Sequence, residues 1–183
     1  ENFHVGKYAT SAYSLNDGQS EEILKIIHKK GIELELWKRN DSFAFNHDVK
    51  LFVLHPPLGY PTQNPNQSSL VLKFSYGNTS FLLTGDIESD TEEMLIFSNK
   101  NLKSDVLKVP HHGSNNASSI AFIRAVQPRI AVISVGRCIK GLPGKNTIER
   151  YNKFSIPLFT TQNNGFIKVC SDQNNITFSL FKR

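Results

Sequence analysis

The run Phe81-Leu82-Leu83-Thr84-Gly85-Asp86 and, one helix-length later, Val106-Leu107-Lys108-Val109-Pro110-His111-His112-Gly113-Ser114 decide how this chain is read. Each is a short apolar strand that ends in a turn carrying metal-ligand side chains. Strands are rigid, and the turns after them can bring Asp and His to one point, a common way to build a hydrolytic metal site. Asp is a hard oxygen ligand able to bridge two cations, and a neutral imidazole suits zinc, manganese or iron. Taken singly, Gly85-Asp86 is an ordinary turn cap, and the His pair fits a hydrogen-bonded core as well as a metal site. Together, past strands expected in adjacent layers, Asp86, His111 and His112 are the candidate catalytic and metal-ligating residues.

Upstream, residues 70–76 and 79–84 read as a hairpin around Gly77-Asn78, a good two-residue turn signal. Their nearly continuous apolar runs predict a sheet covered on both faces. Residues 59–69, rich in Pro, Asn, Gln and Ser, read as a long loop, mobile or part of a site rim. Before it lie a hairpin (43–45 with 49–54) and an alternating strand at 32–36. A helix opens with Ser20 as N-cap and stops at Gly31. His28 falls at that helix's C-terminal end, His47 in a turn and His55 before Pro56 at a strand end; nothing else marks them as ligands. Downstream, helices at 89–98, 118–126 and 147–154 alternate with strands at 130–135, 158–160, 166–170 and 176–181. That alternation predicts one layered α/β domain spanning residues 1–183.

Composition narrows the function classes. A fifth of the residues are charged and the longest apolar runs are short, far below the ~20 residues of a membrane-spanning helix. The 13 Phe outnumber the single Trp and 5 Tyr together, which favours a packed core over a stacking surface. A net charge of +5 and a pI near 9.2 suit a polyanionic partner, but Lys and Arg are dispersed. Cys138 and Cys170 match no zinc spacing and read as reduced thiols, with a single disulfide as the alternative.

The two central segments, Phe81 to Glu88 and Ser104 to Ser114, resemble the C-terminal metallo-β-lactamase-like domain of the ComEC family of competence DNA-uptake channels. Leu54-His55-Pro56-Pro57, Ser68 to Phe74, Ala131 to Gly136 and Asn163-Asn164-Gly165 follow in that family's order. The resemblance implies an α/β fold, the C-terminal part of an αββα sandwich. It implies Asp86 as a carboxylate shared between two metals, with His111 or His112 at the same site. It further implies a divalent cofactor (Zn or Mn), a single DNA strand as substrate, and hydrolysis of the phosphodiester by metal-bound water. The expected setting is a soluble domain of a bacterial inner-membrane protein, on its extracytoplasmic face and joined to a membrane channel portion of the same polypeptide.

Two departures qualify this. The His-x-His-x-Asp-His motif is absent from this sequence, and its expected place is upstream of Glu1. Where the family has Gly-His-Pro, this chain has Gly141-Leu142-Pro143, and Leu neither binds a metal nor moves a proton. With most ligands missing, the chain alone is expected to bind metal weakly and to be inactive. Exposed edges left by missing strands would favour a homo-dimer of the fragment. Two alternatives stand beside this reading: a degenerate domain that guides DNA or docks the channel, and a hydrolase of another phosphate ester. For contact with nucleic acid, the candidates are Arg137, Lys140 and Lys145, in a Gly- and Pro-containing stretch expected to form an exposed loop.

Overall fold

In the computed structural model, residues 3–15, 18–45, 47–60, 64–98, 101–136 and 141–182 are described. In chain order the elements are β1 (Lys7–Thr10), α1 (Gly18–Lys30), β2 (Glu33–Leu36), β3 (Ser42–Ala44), β4 (Val49–His55), β5 (Val71–Tyr76) and β6 (Thr79–Leu83). There follow α2 (Ser89–Ser98), β7 (Val106–Lys108), α3 (Ile120–Val126), β8 (Ile130–Ile133), α4 (Lys145–Lys153), β9 (Leu158–Thr160), α5 (Thr161–Asn164), β10 (Phe166–Ser171) and β11 (Ile176–Phe181).

Strands β3 to β9 make one seven-stranded sheet in sequence order. The hairpin half, β3 to β6, is antiparallel; from β6 onward each strand runs parallel to the last, with α2, α3 and α4 as the returning segments. Parallel strands need such crossovers, which is why helices punctuate only the second half. Two smaller sheets, β1–β2 and β10–β11, complete the α/β fold expected from the sequence.

The pairing Leu82↔Leu107↔Ala131 places three fully buried residues in one row. That row belongs to the core under the helices, with Leu95 of α2, Phe122, Ile123 and Val126 of α3, and Tyr151 of α4. The next row, Leu83↔Lys108↔Val132, faces the other way. The β10–β11 hairpin covers part of that face: Phe178 packs on Phe159 with ring centroids 4.7 Å apart, and Thr79 Oγ1 meets Ser171 Oγ at 2.6 Å.

Three sequence expectations are corrected. The strands before Asp86 and the His pair are neighbours in one sheet, not members of adjacent layers, because the α2 crossover returns the chain parallel and alongside. The sheet is not fully covered on both faces, since Leu83 is 39% exposed. The first helix opens at Gly18, so Ser20 lies inside it rather than capping it. The long loop at 59–69 contains a 3₁₀ turn at Pro65–Ser68.

Candidate metal centre

Asp86, His112 and Ser134 each follow the carboxyl end of a neighbouring strand: β6, β7 and β8. Loops at the carboxyl ends of parallel strands are the usual place for a site in an open α/β sheet. Gly85 makes the turn into Asp86. Its φ is +57°, and a Cβ there would meet the Ser69 Cβ at 2.6 Å, so a side chain is excluded by both backbone and space. The Asp86 N–H donates to Ser69 Oγ at 3.1 Å, which fixes the start of the loop.

After β7 the chain turns through Pro110–Gly113 with His111 at φ 47°, ψ 48° and His112 at φ 52°, ψ 24°. Two successive non-glycine residues in the left-handed region cost roughly 1–2 kcal/mol each, and such strain concentrates at functional sites. The His111 N–H donates to Gly85 O at 3.2 Å, tying this turn to the Asp86 turn. The left-handed pair sends the two imidazoles to different acids. His112 Nε2 lies 3.5 Å from Asp86 Oδ2, whereas His111 Nδ1 lies 3.1 Å from Glu88 Oε1. That second contact is within ion-pair range yet outside hydrogen-bond alignment, so the buried His111 Nδ1 has no hydrogen-bond partner.

His112 is oriented from behind. Its Nδ1–H donates to Ser134 O at 2.6 Å, and the carbonyl, which can only accept, places a proton on Nδ1, so that in the neutral ring the Nε2 lone pair faces Asp86. Backing of this kind is how metal-binding histidines are commonly held. A lone pair and a carboxylate oxygen facing one another repel unless a cation or proton sits between them. Their 3.5 Å separation is close to the edge of a coordination tetrahedron with bonds of ~2.0–2.2 Å. Asp86 and His112 therefore fit one divalent ion as a pair of ligands. Among the described residues no group of three His, Cys, Asp or Glu is arranged to hold an ion.

Lys108, which the sequence reading passed over, completes the cluster. It ends β7 on the same face as Leu83, and its ammonium donates to Gly85 O at 2.7 Å and to Asp86 Oδ1 at 3.4 Å. Burial pushes its pKa down, and the Asp86 carboxylate opposes that fall. Glu88, two residues after Asp86, is the acid facing His111. Strand alternation was the available signal for Lys108: it sits one residue after buried Leu107, at the strand end next to the His pair.

The loop that follows the histidines is braced by α2 and α4. The Glu92 carboxylate accepts the Ser118 N–H and, at 2.8 Å, the Ser119 N–H, while burial pushes its pKa up. Arg150 Nη2 donates to Asn115 O and Ala117 O, and Thr147 Oγ1 donates to Ser114 O at 2.7 Å. Leu142, standing where the resemblance has a His, is half-buried against the hydrophobic core. His55 is buried with its Nε2–H donating to Gln67 O at 2.7 Å, and His47 is exposed. Cys170 is a free, exposed thiol; Cys138 lies outside the described residues. Of the nucleic-acid candidates, Arg137 and Lys140 lie outside the described residues. Lys145 does not sit in a loop: it opens α4, with its ammonium 3.7 Å from Glu149.

Residues 2–137 match the Metallo-beta-lactamase superfamily. The chain belongs to that superfamily. It is 33% identical to ComE operon protein 3 of Bacillus subtilis over 91% of this chain and 21% of that protein. It is 34% identical to Recombination protein 2 of Haemophilus influenzae, over 64% of this chain and 15% of the relative. With Competence protein ComA of Neisseria gonorrhoeae it shares 44% identity over 39% of this chain and 10% of that one. The chain thus spans about a fifth of the length of the first of these relatives. These similarities agree with the family that the sequence motifs resemble. Superfamily membership implies divalent metal ions in general. No helix among the described residues is long and apolar enough to cross a membrane.

Proposed function

We propose that this chain supplies the Asp–His side of a metal-dependent phosphodiesterase centre in a ComEC-type protein of DNA uptake, acting on a single DNA strand. The observation that carries this reading is the facing pair Asp86 Oδ2 and His112 Nε2, 3.5 Å apart, with His112 locked by Ser134. The competence-related names of the relatives support DNA as the substrate class. A divalent ion held by Asp86 and His112 would lower the pKa of its bound water and polarise a phosphoryl oxygen. Asp86 neutralises charge, Ser134 holds the imidazole in its ligating tautomer, and the Gly85 carbonyl keeps the Lys108 ammonium beside the carboxylate.

The test is hydrolysis of a labelled single-stranded oligonucleotide by the product of the complete gene, with zinc or manganese added. Cleavage that is lost in both Asp86→Ala and His112→Ala supports the reading. Full activity in Asp86→Ala overturns it. A second reading, a non-catalytic domain that guides DNA, is favoured by Leu142, whose side chain packs on the core where the family has a His. It predicts oligonucleotide binding without cleavage under the same conditions.

A further inference from the structure

The two oxygens of Asp86 meet different partners. Oδ2 faces the His112 lone pair, while Oδ1 faces the ammonium of Lys108 at 3.4 Å. That ammonium is not a loose surface charge. It leaves the last residue of a central strand, three-quarters of its side chain is buried, and it donates to Gly85 O at 2.7 Å. The Gly85 carbonyl is itself fixed, because it also accepts the His111 N–H. Lys108 therefore cannot swing away from Oδ1 without abandoning a hydrogen bond inside a constrained double turn. A metal ion at Oδ1 would stand about 2 Å from the oxygen, within direct repulsion range of the ammonium.

We infer that Lys108 is the second cation of this site: Asp86 is shared between one divalent ion, at the Oδ2–His112 edge, and the fixed ammonium at Oδ1. This rests on the metal reading given above, and it differs from the two-metal sharing of Asp86 that the sequence resemblance implies. The chemistry is consistent with a phosphodiester substrate, since an ammonium is a compact point charge well suited to a phosphate oxygen. Lys108 would then be positioned to hold a non-bridging phosphate oxygen beside the ion.

Three measurements on the complete gene product test the assignment, none requiring turnover. Titration with manganese, followed by calorimetry and by electron paramagnetic resonance, should show one ion per chain at Asp86. The spectrum should be that of isolated Mn²⁺, without the exchange coupling of a carboxylate-bridged pair. Lys108→Met should tighten manganese binding by about tenfold or more, because a neighbouring positive charge is removed. Lys108→Arg should stay within about threefold. Inorganic phosphate should bind the manganese-loaded Lys108→Met protein about tenfold more weakly than the parent.

An exchange-coupled pair lost in Asp86→Ala overturns the assignment, as does unchanged or weakened manganese binding in Lys108→Met. A protein whose manganese binding is untouched by Asp86→Ala defeats the underlying metal reading instead, so the two failures are distinct. Lys108→Gln, which keeps a polar donor toward Gly85, replaces Lys108→Met if the latter fails to melt cooperatively; the same tightening is expected and its absence overturns the assignment.

Discussion

The two ends of the β6–β7 pair carry the same residue types and use them differently. At the amino end, Asp105 Oδ2 accepts the Ser80 N–H at 2.8 Å and the Ser80 hydroxyl at 3.0 Å, with Arg129 3.8 Å from Oδ1. Nearby, Lys73 donates to Lys103 O at 2.7 Å and Asn101 O at 3.2 Å, on the wall of a polar cleft of about 630 Å³. At the carboxyl end, no backbone N–H among the described residues reaches the Asp86 carboxylate; its partners are Lys108 and His112. Burial lowers the pKa of both lysines. What separates the ends is saturation. A carboxylate already holding backbone and hydroxyl donors is a latch between strands, whereas one facing only a single ammonium and an imidazole nitrogen, with no backbone donor, is open to an ion.

The strongest break of this contrast is catalytic. In the complete gene product, Asp86→Ala should reduce oligonucleotide cleavage by at least about a hundredfold, the scale for losing a group that stabilises developing charge. Asp105→Ala should leave the rate within about threefold when assayed well below its melting temperature. Equal losses in the two variants would erase the distinction between latch and site.

Stability should run the opposite way. Removing the Asp105 carboxylate strands the Ser80 N–H and hydroxyl, a loss of about 1.5–3 kcal/mol for charged hydrogen bonds. Asp86→Ala removes no backbone partner and leaves the Lys108 ammonium its bond to Gly85 O, so its loss should be smaller, about 1 kcal/mol or less. Urea denaturation, read as a change in midpoint at constant slope, compares the two directly.

Histidines sharpen the same point. His55 is buried with its Nε2–H held by Gln67 O, and burial lowers its pKa below the ordinary 6.5. The unfolded chain then binds this proton more readily than the folded one. Stability is therefore intact above the unfolded value and falls as pH drops below about 6.5 toward the folded value, by at most ~1.4 kcal/mol per pH unit. Replacement by Gln should flatten that part of the stability–pH curve. A curve unchanged by His55→Gln would show that His55 does not govern it.

The smallest effect is expected at the basic stretch. If Arg137, Lys140 and Lys145 grip a DNA backbone, the triple Ala variant should flatten the salt dependence of single-strand binding by about two units of logarithmic slope, roughly 0.7 per contact. Lys145→Ala alone should account for no more than about 0.7 of it. Identical slopes for parent and triple variant would leave these side chains as solubilising charges.

That Asp86 and His112 meet was legible, because short side chains at strand ends are fixed by the backbone, whereas His111 was expected at the same point and faces Glu88 instead. Lys108 and Glu88 were not legible. Their long side chains reach partners on other segments, Gly85 and His111, and one-dimensional spacing does not encode where such reach ends. Strand existence was read well, but neighbourhood was not: residues 81–83 and 106–108 pair directly, which periodicity cannot distinguish from stacking in separate layers. The Ser20 misplacement has a similar cause. Ser followed by two Glu is a sound helix start, yet the turn before it continues the helix to Gly18. At Leu83, apolar composition overstated coverage, because composition records what could be buried, not what arrives to bury it.

The left-handed backbone of His111 and His112 has a consequence for anyone selecting variants. Glycine at either position would relax the turn and reduce the cost of folding. A screen for heat tolerance alone should therefore enrich glycine at 111 and 112, and each winner would have traded an imidazole for a comfortable peptide. Libraries built on this fold need a counter-selection for metal capture, or the hardiest survivors will be the ones with least left to do.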